Sequence, residues 1–143
     1  MARMTAITTK YYNVTRAAAV AGALSAVVAL GAALLCIGHL GVDVPVLSAL
    51  GPGGDQAVPV AATIFALGTA MFGAAAWGLL RQARWAWPAG VAVHALGVLS
   101  GVGQYRGTVS AVGIVLSLAA LVVLLAPAGR GLRHTARRAQ LVR

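Results

Sequence analysis

Acidic side chains are almost absent from this sequence, which holds Asp43 and Asp55 and no other aspartate or glutamate. Charged residues of both signs make up only 9% of the chain, against about 25% in an average soluble domain. A soluble protein of 143 residues needs polar side chains to cover its core, and there are too few here. The composition therefore excludes an ordinary water-soluble domain and favours a membrane protein.

Cysteine occurs once, at Cys36, so the chain has no internal disulfide and no CxxC redox motif. This excludes the quinone-linked disulfide formers that are built on four helices. The sequence also lacks a glycine-rich phosphate loop, a nucleophile elbow and an HExxH zinc motif. We therefore expect a non-enzymatic protein with no catalytic residues and no cofactor.

The sequence does contain four long apolar runs, at about residues 17–40, 57–80, 86–103 and 108–126. Each is close to the ~20 residues that a helix needs to cross the hydrocarbon core of a bilayer. Helices are predicted because a spanning segment must satisfy its backbone hydrogen bonds internally, and these runs do not alternate as barrel strands do. The predicted fold class is all-α, an integral membrane four-helix bundle at residues 17–126.

Polar ends flank the predicted bundle: an N-terminal arm at residues 1–16 and a basic tail at residues 127–143. A secretory signal is the competing interpretation of the first apolar run, since positive charge precedes it. Its apolar core is longer than the usual 7 to about 15 residues of such signals, which favours a spanning helix.

Positive charge is distributed unevenly between the two sides of the predicted bundle. The arm carries three of the eleven Lys and Arg residues, the second connection two and the tail five, whereas the first and third connections carry only Arg106. The positive-inside rule then predicts that both termini are cytoplasmic, in the inner (plasma) membrane. The basic tail is expected to contact anionic lipid headgroups. Nothing besides charge favours nucleic acid, so no nucleic-acid partner is expected.

Small residues recur at spacings of three and four along each run, which places them on one face of a helix. Lipid is as apolar as leucine, so membrane helices associate through packing and hydrogen bonds, and small residues let backbones approach closely. The residues predicted to pack helices together are Gly22, Gly90, Gly97, Gly101 and Gly113.

His94 lies near the middle of the third run and is the one ionisable residue deep in any predicted span. An intramembrane ionisable residue is by default a functional hypothesis, and its neighbours Gly90 and Gly97 predict that it faces the bundle interior. We therefore predict an intramembrane polar site of His94, Ser117 and Thr69. The alternative is a neutral structural histidine bonded to a hydroxyl such as Ser117 or to a backbone carbonyl.

His39, Asp43 and Asp55 form the only cluster of residue types that could bind a divalent metal ion. The three do not have the spacing of a known zinc motif, and two of them lie in a long connection. Solvated acids beside an interfacial histidine are the favoured interpretation, so no metal site is expected. Haem held by His39 and His94 is disfavoured because the two residues lie at different depths.

The residue bias towards Ala, Gly, Val, Leu and Arg and the stretch GLLRQARWAW at residues 78–87 resemble the small, uncharacterised four-helix integral membrane proteins common in actinobacteria. The resemblance implies a four-helix membrane fold and brings no activity, site residue or cofactor with it. The small multidrug-resistance transporters share the helix count and size, but their exchange chemistry needs a carboxylate inside the membrane. No acid falls inside a run here.

The sequence therefore favours a multi-pass membrane protein that acts by helix–helix association, as a homo-oligomer or as an accessory subunit of a larger membrane complex. The alternative is a small transporter or permeability protein with a path near His94.

Overall fold

The computed structural model describes residues 2–45, 58–105 and 107–128 of the chain. Four α-helices make up this part: α1 at Ala2–His39, α2 at Pro59–Leu80, α3 at Ala86–Gly103 and α4 at Thr108–Leu125. Most of the first connection, Arg106 and the tail from residue 129 lie outside the described residues, and with them the headgroup contact predicted for the tail.

The helix bounds follow from where helix-breaking residues stand. The helix α1 begins at Ala2, well before the first apolar run, since no proline or glycine precedes Gly22. Its apolar part runs from Asn13 to His39. Pro59 is at the start of α2, where its missing N–H breaks no helical hydrogen bond. At the other end of the chain, α4 stops at Leu125, two residues before Pro127.

The helices form a ring in chain order. Each helix packs against its neighbours in sequence, and α4 returns to pack against α1. The short turns between α2 and α3 and between α3 and α4 make these neighbours antiparallel. As a result, α1 and α3 occupy opposite corners of the bundle.

The four described helices are each long and apolar enough to cross a membrane. Large apolar side chains such as Leu30, Leu67, Leu99 and Val122 remain more than 60% exposed on the outer surface. Such a surface is unfavourable in water and suits lipid. The predicted all-α four-helix bundle is confirmed, and the chain is a small multi-pass membrane protein.

The core lies at one end of the bundle, beside the turn between α2 and α3. One buried cluster there consists of Val14, Ala18, Ala21, Leu79, Ala86 and Leu124. A second, Ala29 with Phe72 and Val93, lies nearer the middle. In the other half of the described helices, Ala62 is the one buried residue. We call the half beside the α2–α3 turn the packed half and the other the open half.

Glycines set the closest helix contacts. A methyl group on Gly22 would lie 2.9 Å from Leu80, and one on Gly90 would lie 3.3 Å from Leu124 and 3.4 Å from Leu79. A methyl group on Gly101 would be only 2.6 Å from Cγ1 of Ile114. A methyl group on Gly97 would lie 3.0 Å from Phe72 and from Ser117. Four of the five glycines predicted to pack helices together therefore adjoin a neighbouring helix. A methyl group on Gly113 would meet nothing within 4 Å.

We expect Gly101→Ala to destabilise the bundle, because the added methyl group would collide with Ile114, whose branched side chain has little freedom to rotate away. The cost should be about 1–3 kcal/mol, which is typical of overpacking. Reversible unfolding in mixed micelles measures it.

Gly103→Ala is the matched control, since Gly103 lies on the same helix and has open space in front of it. Its stability should stay within about 0.5 kcal/mol of the unmodified protein. Equal effects of the two substitutions would contradict the contact of Gly101 with Ile114.

Candidate functional site

His94 lies in the middle of α3 and is completely buried, with an exposed fraction of 0%. The glycines one turn to either side, Gly90 and Gly97, face α4 and α2 rather than lipid. The imidazole therefore points into the bundle, as its neighbours in sequence predicted. It lies at the inner border of the packed half.

Ser25 of α1 is the hydrogen-bonding partner of His94. Its Oγ lies 2.9 Å from Nε2 of the imidazole, and both groups are buried. Ser25 and His94 belong to helices at opposite corners of the ring, so this bond crosses the centre of the bundle. It links two helices that have no short connection between them in the chain.

The bonding of Ser25 determines which imidazole nitrogen carries the proton. The Ser25 hydroxyl donates to the carbonyl oxygen of Ala21, one turn earlier in α1, at 2.8 Å. A hydroxyl has one hydrogen, so Ser25 Oγ accepts from His94, and Nε2 must be the protonated nitrogen. In the neutral ring, Nδ1 then carries a lone pair.

Nδ1 of His94 has no hydrogen-bond partner among the described residues, although it is buried. An unpaired buried polar atom costs about 1–3 kcal/mol. Phe72 contributes an apolar cover, with its ring edge-on to the imidazole at 5.1 Å between centroids. Asp43, the one acid in the described ranges, lies beyond the end of α1. The neutral ring is therefore favoured, because a charged one would have no carboxylate beside it.

Ser117 of α4 is also buried, at 1% exposure. Its Oγ lies 3.0 Å from the position that a methyl group on Gly97 would take, so it faces the turn of α3 that follows His94. The hydroxyl that bonds His94 is nevertheless that of Ser25. The sequence suggested Ser117 as an example of a hydroxyl partner and did not single out Ser25. The cyclic order of the helices decides between them.

Thr69 contributes less to this site than the sequence predicts. It is half-buried on α2, and its hydroxyl donates to the carbonyl oxygen of Phe65 in the same helix at 2.9 Å. Its only hydroxyl hydrogen is therefore used within α2, one turn away along the helix. The structure brings His94, Ser25 and Phe72 into contact and places Ser117 beside them.

The residues considered for a metal site lie at the open end. His39 donates from Nδ1 to the carbonyl oxygen of Leu35 at 2.7 Å, and its ring lies 5.0 Å from that of Phe65. Only Nε2 of His39 remains as a metal ligand. Asp43 is exposed, and Asp55 lies outside the described residues. Among the residues that are described, no group of three His, Cys, Asp or Glu could hold a metal ion.

The interior is filled between His94 and the α2–α3 turn. Leu79 and Leu124 are buried to 1% exposure or less, and both lie against Gly90. The indole N–H of Trp87 donates to the carbonyl oxygen of Leu124 at 3.0 Å, which ties α3 to the end of α4. A path past His94 would need these side chains to move.

The α2–α3 turn carries exposed basic and aromatic side chains. The Arg81 guanidinium lies over the Trp77 ring, 4.4 Å from its centroid, and Arg84 is exposed. Gln82 has a positive φ of 52°, which allows the chain to reverse within a few residues. The turn thus combines cations with indole rings, as a membrane interface does.

Comparisons with protein-family models, with curated proteins and with solved structures found no match for this chain. Of the resemblance to actinobacterial membrane proteins, only the general type is supported, a small four-helix membrane protein. Neither a family nor a source is identified.

We expect a double-mutant cycle of Ser25→Ala and His94→Leu to give a coupling of about 0.6 kcal/mol, the average for hydrogen bonds between membrane helices, and at most about 1.7 kcal/mol. Ser25→Ala alone should destabilise the bundle because it leaves the buried Nε2–H of His94 without its acceptor. Unfolding of the four proteins in mixed micelles measures the cycle.

The matched control replaces Ser25→Ala by Ser100→Ala, since Ser100 is exposed on α3. That cycle should be additive to within about 0.5 kcal/mol. Additivity in the Ser25 cycle as well would contradict the bond across the bundle.

Proposed function

We propose that this protein acts by lateral association in the membrane, with a second copy of itself or as a subunit of a larger membrane complex. One observation carries the proposal: α2 presents a row of small residues to lipid. Thr63, Ala66, Ala70 and Ala74 are all exposed and follow one another at spacings of three or four, so they share one side of the helix. We call this row the α2 small-residue surface.

The α2 small-residue surface is not used within the bundle. The side of α2 that packs inward carries Phe72, Ala76 and Leu79 instead, all of them buried. Gly73 lies beside Ala74 and also has open space in front of it. The glycines of the packed half, by contrast, already contact neighbouring helices. The α2 small-residue surface is therefore open to contact with another helix, as are Ala19, Ala23 and Ala26 of α1, which are exposed at similar spacings.

Small residues on a lipid-facing helix favour association for a physical reason. Leucine and lipid tails are equally apolar, so burying leucine against another helix gains little. A row of alanines forms a shallow groove in which another helix can approach closely and make many van der Waals contacts. The absence of catalytic motifs from the sequence agrees with a non-enzymatic role of this kind.

A transport or permeability role near His94 is the second candidate. The unpaired Nδ1 of this buried histidine favours it, since intramembrane ionisable groups commonly mark substrate or ion pathways. Leu79 and Leu124 fill the bundle on one side of His94, however. Association needs no such rearrangement, and for this reason we rank it first.

We also propose that both termini and the α2–α3 turn face the cytoplasm. Two exposed arginines in that turn, together with the basic arm and tail, support this orientation through the positive-inside rule. Arg84 and Arg81 would then contact anionic headgroups, each contributing about 1 kcal/mol near a charged surface.

We expect Ala70→Leu to weaken association at least about tenfold, since the larger side chain fills the groove and keeps a partner backbone away. Bundle stability should not change because leucine is soluble in lipid. Energy transfer between donor-labelled and acceptor-labelled protein in liposomes, measured as the lipid dilution is increased, reports self-association. Co-purification from native membranes reports a partner.

Ala119→Leu is the control, because Ala119 is exposed on α4, away from the α2 small-residue surface. It should associate as the unmodified protein does. If Ala70→Leu and Ala119→Leu behave alike, the surface of α2 is not the contact.

The orientation has its own test in a Cys36→Ser background, which removes the one native cysteine. Gln82→Cys, in the exposed α2–α3 turn, should react with a membrane-impermeant maleimide only after permeabilisation. Gln104→Cys, exposed at the other end of the bundle, should react in intact cells. The reverse pattern would place the termini outside.

A further inference from the structure

We infer that His94 and Ser117 hold a water molecule inside the bundle, which donates a hydrogen bond to Nδ1 of His94. The starting point is the bonding of Ser25. Since the Ser25 hydroxyl donates to Ala21, it accepts from Nε2–H of His94, and Nδ1 is left as a bare acceptor. This acceptor is completely buried and has no partner among the described residues.

A buried acceptor of this kind is rare in folded proteins, where most such atoms bond to protein or to ordered water. In the hydrocarbon core no bulk water compensates for a missing partner, so the need for one is greater than in a soluble protein. A group that donates to Nδ1 must come from outside the described side chains. The chemical class of the ligand is thus an O–H or N–H donor.

Ser117 supplies the second polar atom of the site. Its Oγ faces Gly97, which follows His94 by one turn of α3, and the missing side chain of Gly97 leaves the two helices close together. A methyl group there would be 3.0 Å from both Ser117 Oγ and Phe72. The hydroxyl can accept from the ligand or donate to it, whereas Nδ1 can only accept.

The available space limits the size of the ligand. Gly97 is tightly enclosed by Phe72 and Ser117, so the space beside this turn of α3 is small. On the other side of His94, Leu79 and Leu124 lie against Gly90 and close the site towards the packed half. A single water molecule meets these limits, since it donates to Nδ1 and exchanges a second hydrogen bond with Ser117.

The water would complete a chain of hydrogen bonds that joins three helices. The chain runs from Ala21 and Ser25 of α1 through the imidazole of α3 to Ser117 of α4. It satisfies both ring nitrogens of His94 without any charged group, in keeping with the near absence of acids from the sequence.

The test is nuclear magnetic resonance of the full chain in lipid bilayers, with ¹⁵N in the histidine rings. The signals of the three histidines are separated with His39→Gln and His134→Gln. His94 should be neutral, with Nε2 protonated and Nδ1 accepting a hydrogen bond, and its ring should show magnetisation transfer from water.

Ser117→Ala should reduce that transfer to the background level, because the water loses its second partner, while Ser100→Ala, on the exposed side of α3, should keep it. The ring shifts of Ser117→Ala also show whether the bond to Ser25 survives, so misfolding of this variant is recognised. In that case Ser117→Thr, which keeps the hydroxyl, should retain the transfer.

Three results would overturn the inference. The first is an Nδ1-protonated ring, and the second is an unmodified protein whose His94 ring has no contact with water. The third is magnetisation transfer from carbon-bound protons of a bound compound, which would identify an organic hydroxyl or amine as the ligand.

Discussion

Close approach of helix backbones is the constraint on which this structure depends. Within a bilayer the hydrophobic effect does not drive helices together, so contact area and hydrogen bonds must do so. Gly22, Gly90, Gly97 and Gly101 provide the area, because a methyl group at any of them would meet a neighbouring helix within 3.4 Å. These contacts hold α1 to α2 and α3 to both of its neighbours, at Gly22 and Gly90 in the packed half and at Gly97 and Gly101 further towards the open end.

The hydrogen bond between Ser25 and His94 complements this packing. Ser25 and His94 join helices at opposite corners, which glycine contacts between neighbours cannot do. Such a bond has a direction and a defined distance, so it can fix the relative rotation of α1 and α3 in a way that apolar packing alone does less well. The bond also determines the tautomer of His94 and thereby leaves Nδ1 as the acceptor on which the inferred water depends.

The helices, their membrane character and the inward direction of His94 could be predicted from the sequence, because length, hydropathy and the glycines around His94 are local signals. The partner of His94 could not. Ser25 and Ser117 both lie mid-helix on small-residue faces, and only the cyclic order of the four helices places Ser25 opposite. The sequence did not predict that α1 extends back to Ala2. The predicted start at residue 17 was set by hydropathy, whereas the helix continues through polar residues that also favour helical structure. A row of small residues also does not show which side of the helix packs inward. Gly90 contacts neighbouring helices, whereas Ala70 is exposed.

We propose that the lipid-facing surface of α2 associates with another membrane helix. Native mass spectrometry of the protein released directly from its own membrane tests this most directly, since it reports stoichiometry and bound partners together. We expect a homo-oligomer or a complex of defined stoichiometry with another membrane protein. A monomer at every membrane density, with no bound protein, would contradict it and would make the region around His94 the first place to look for the function.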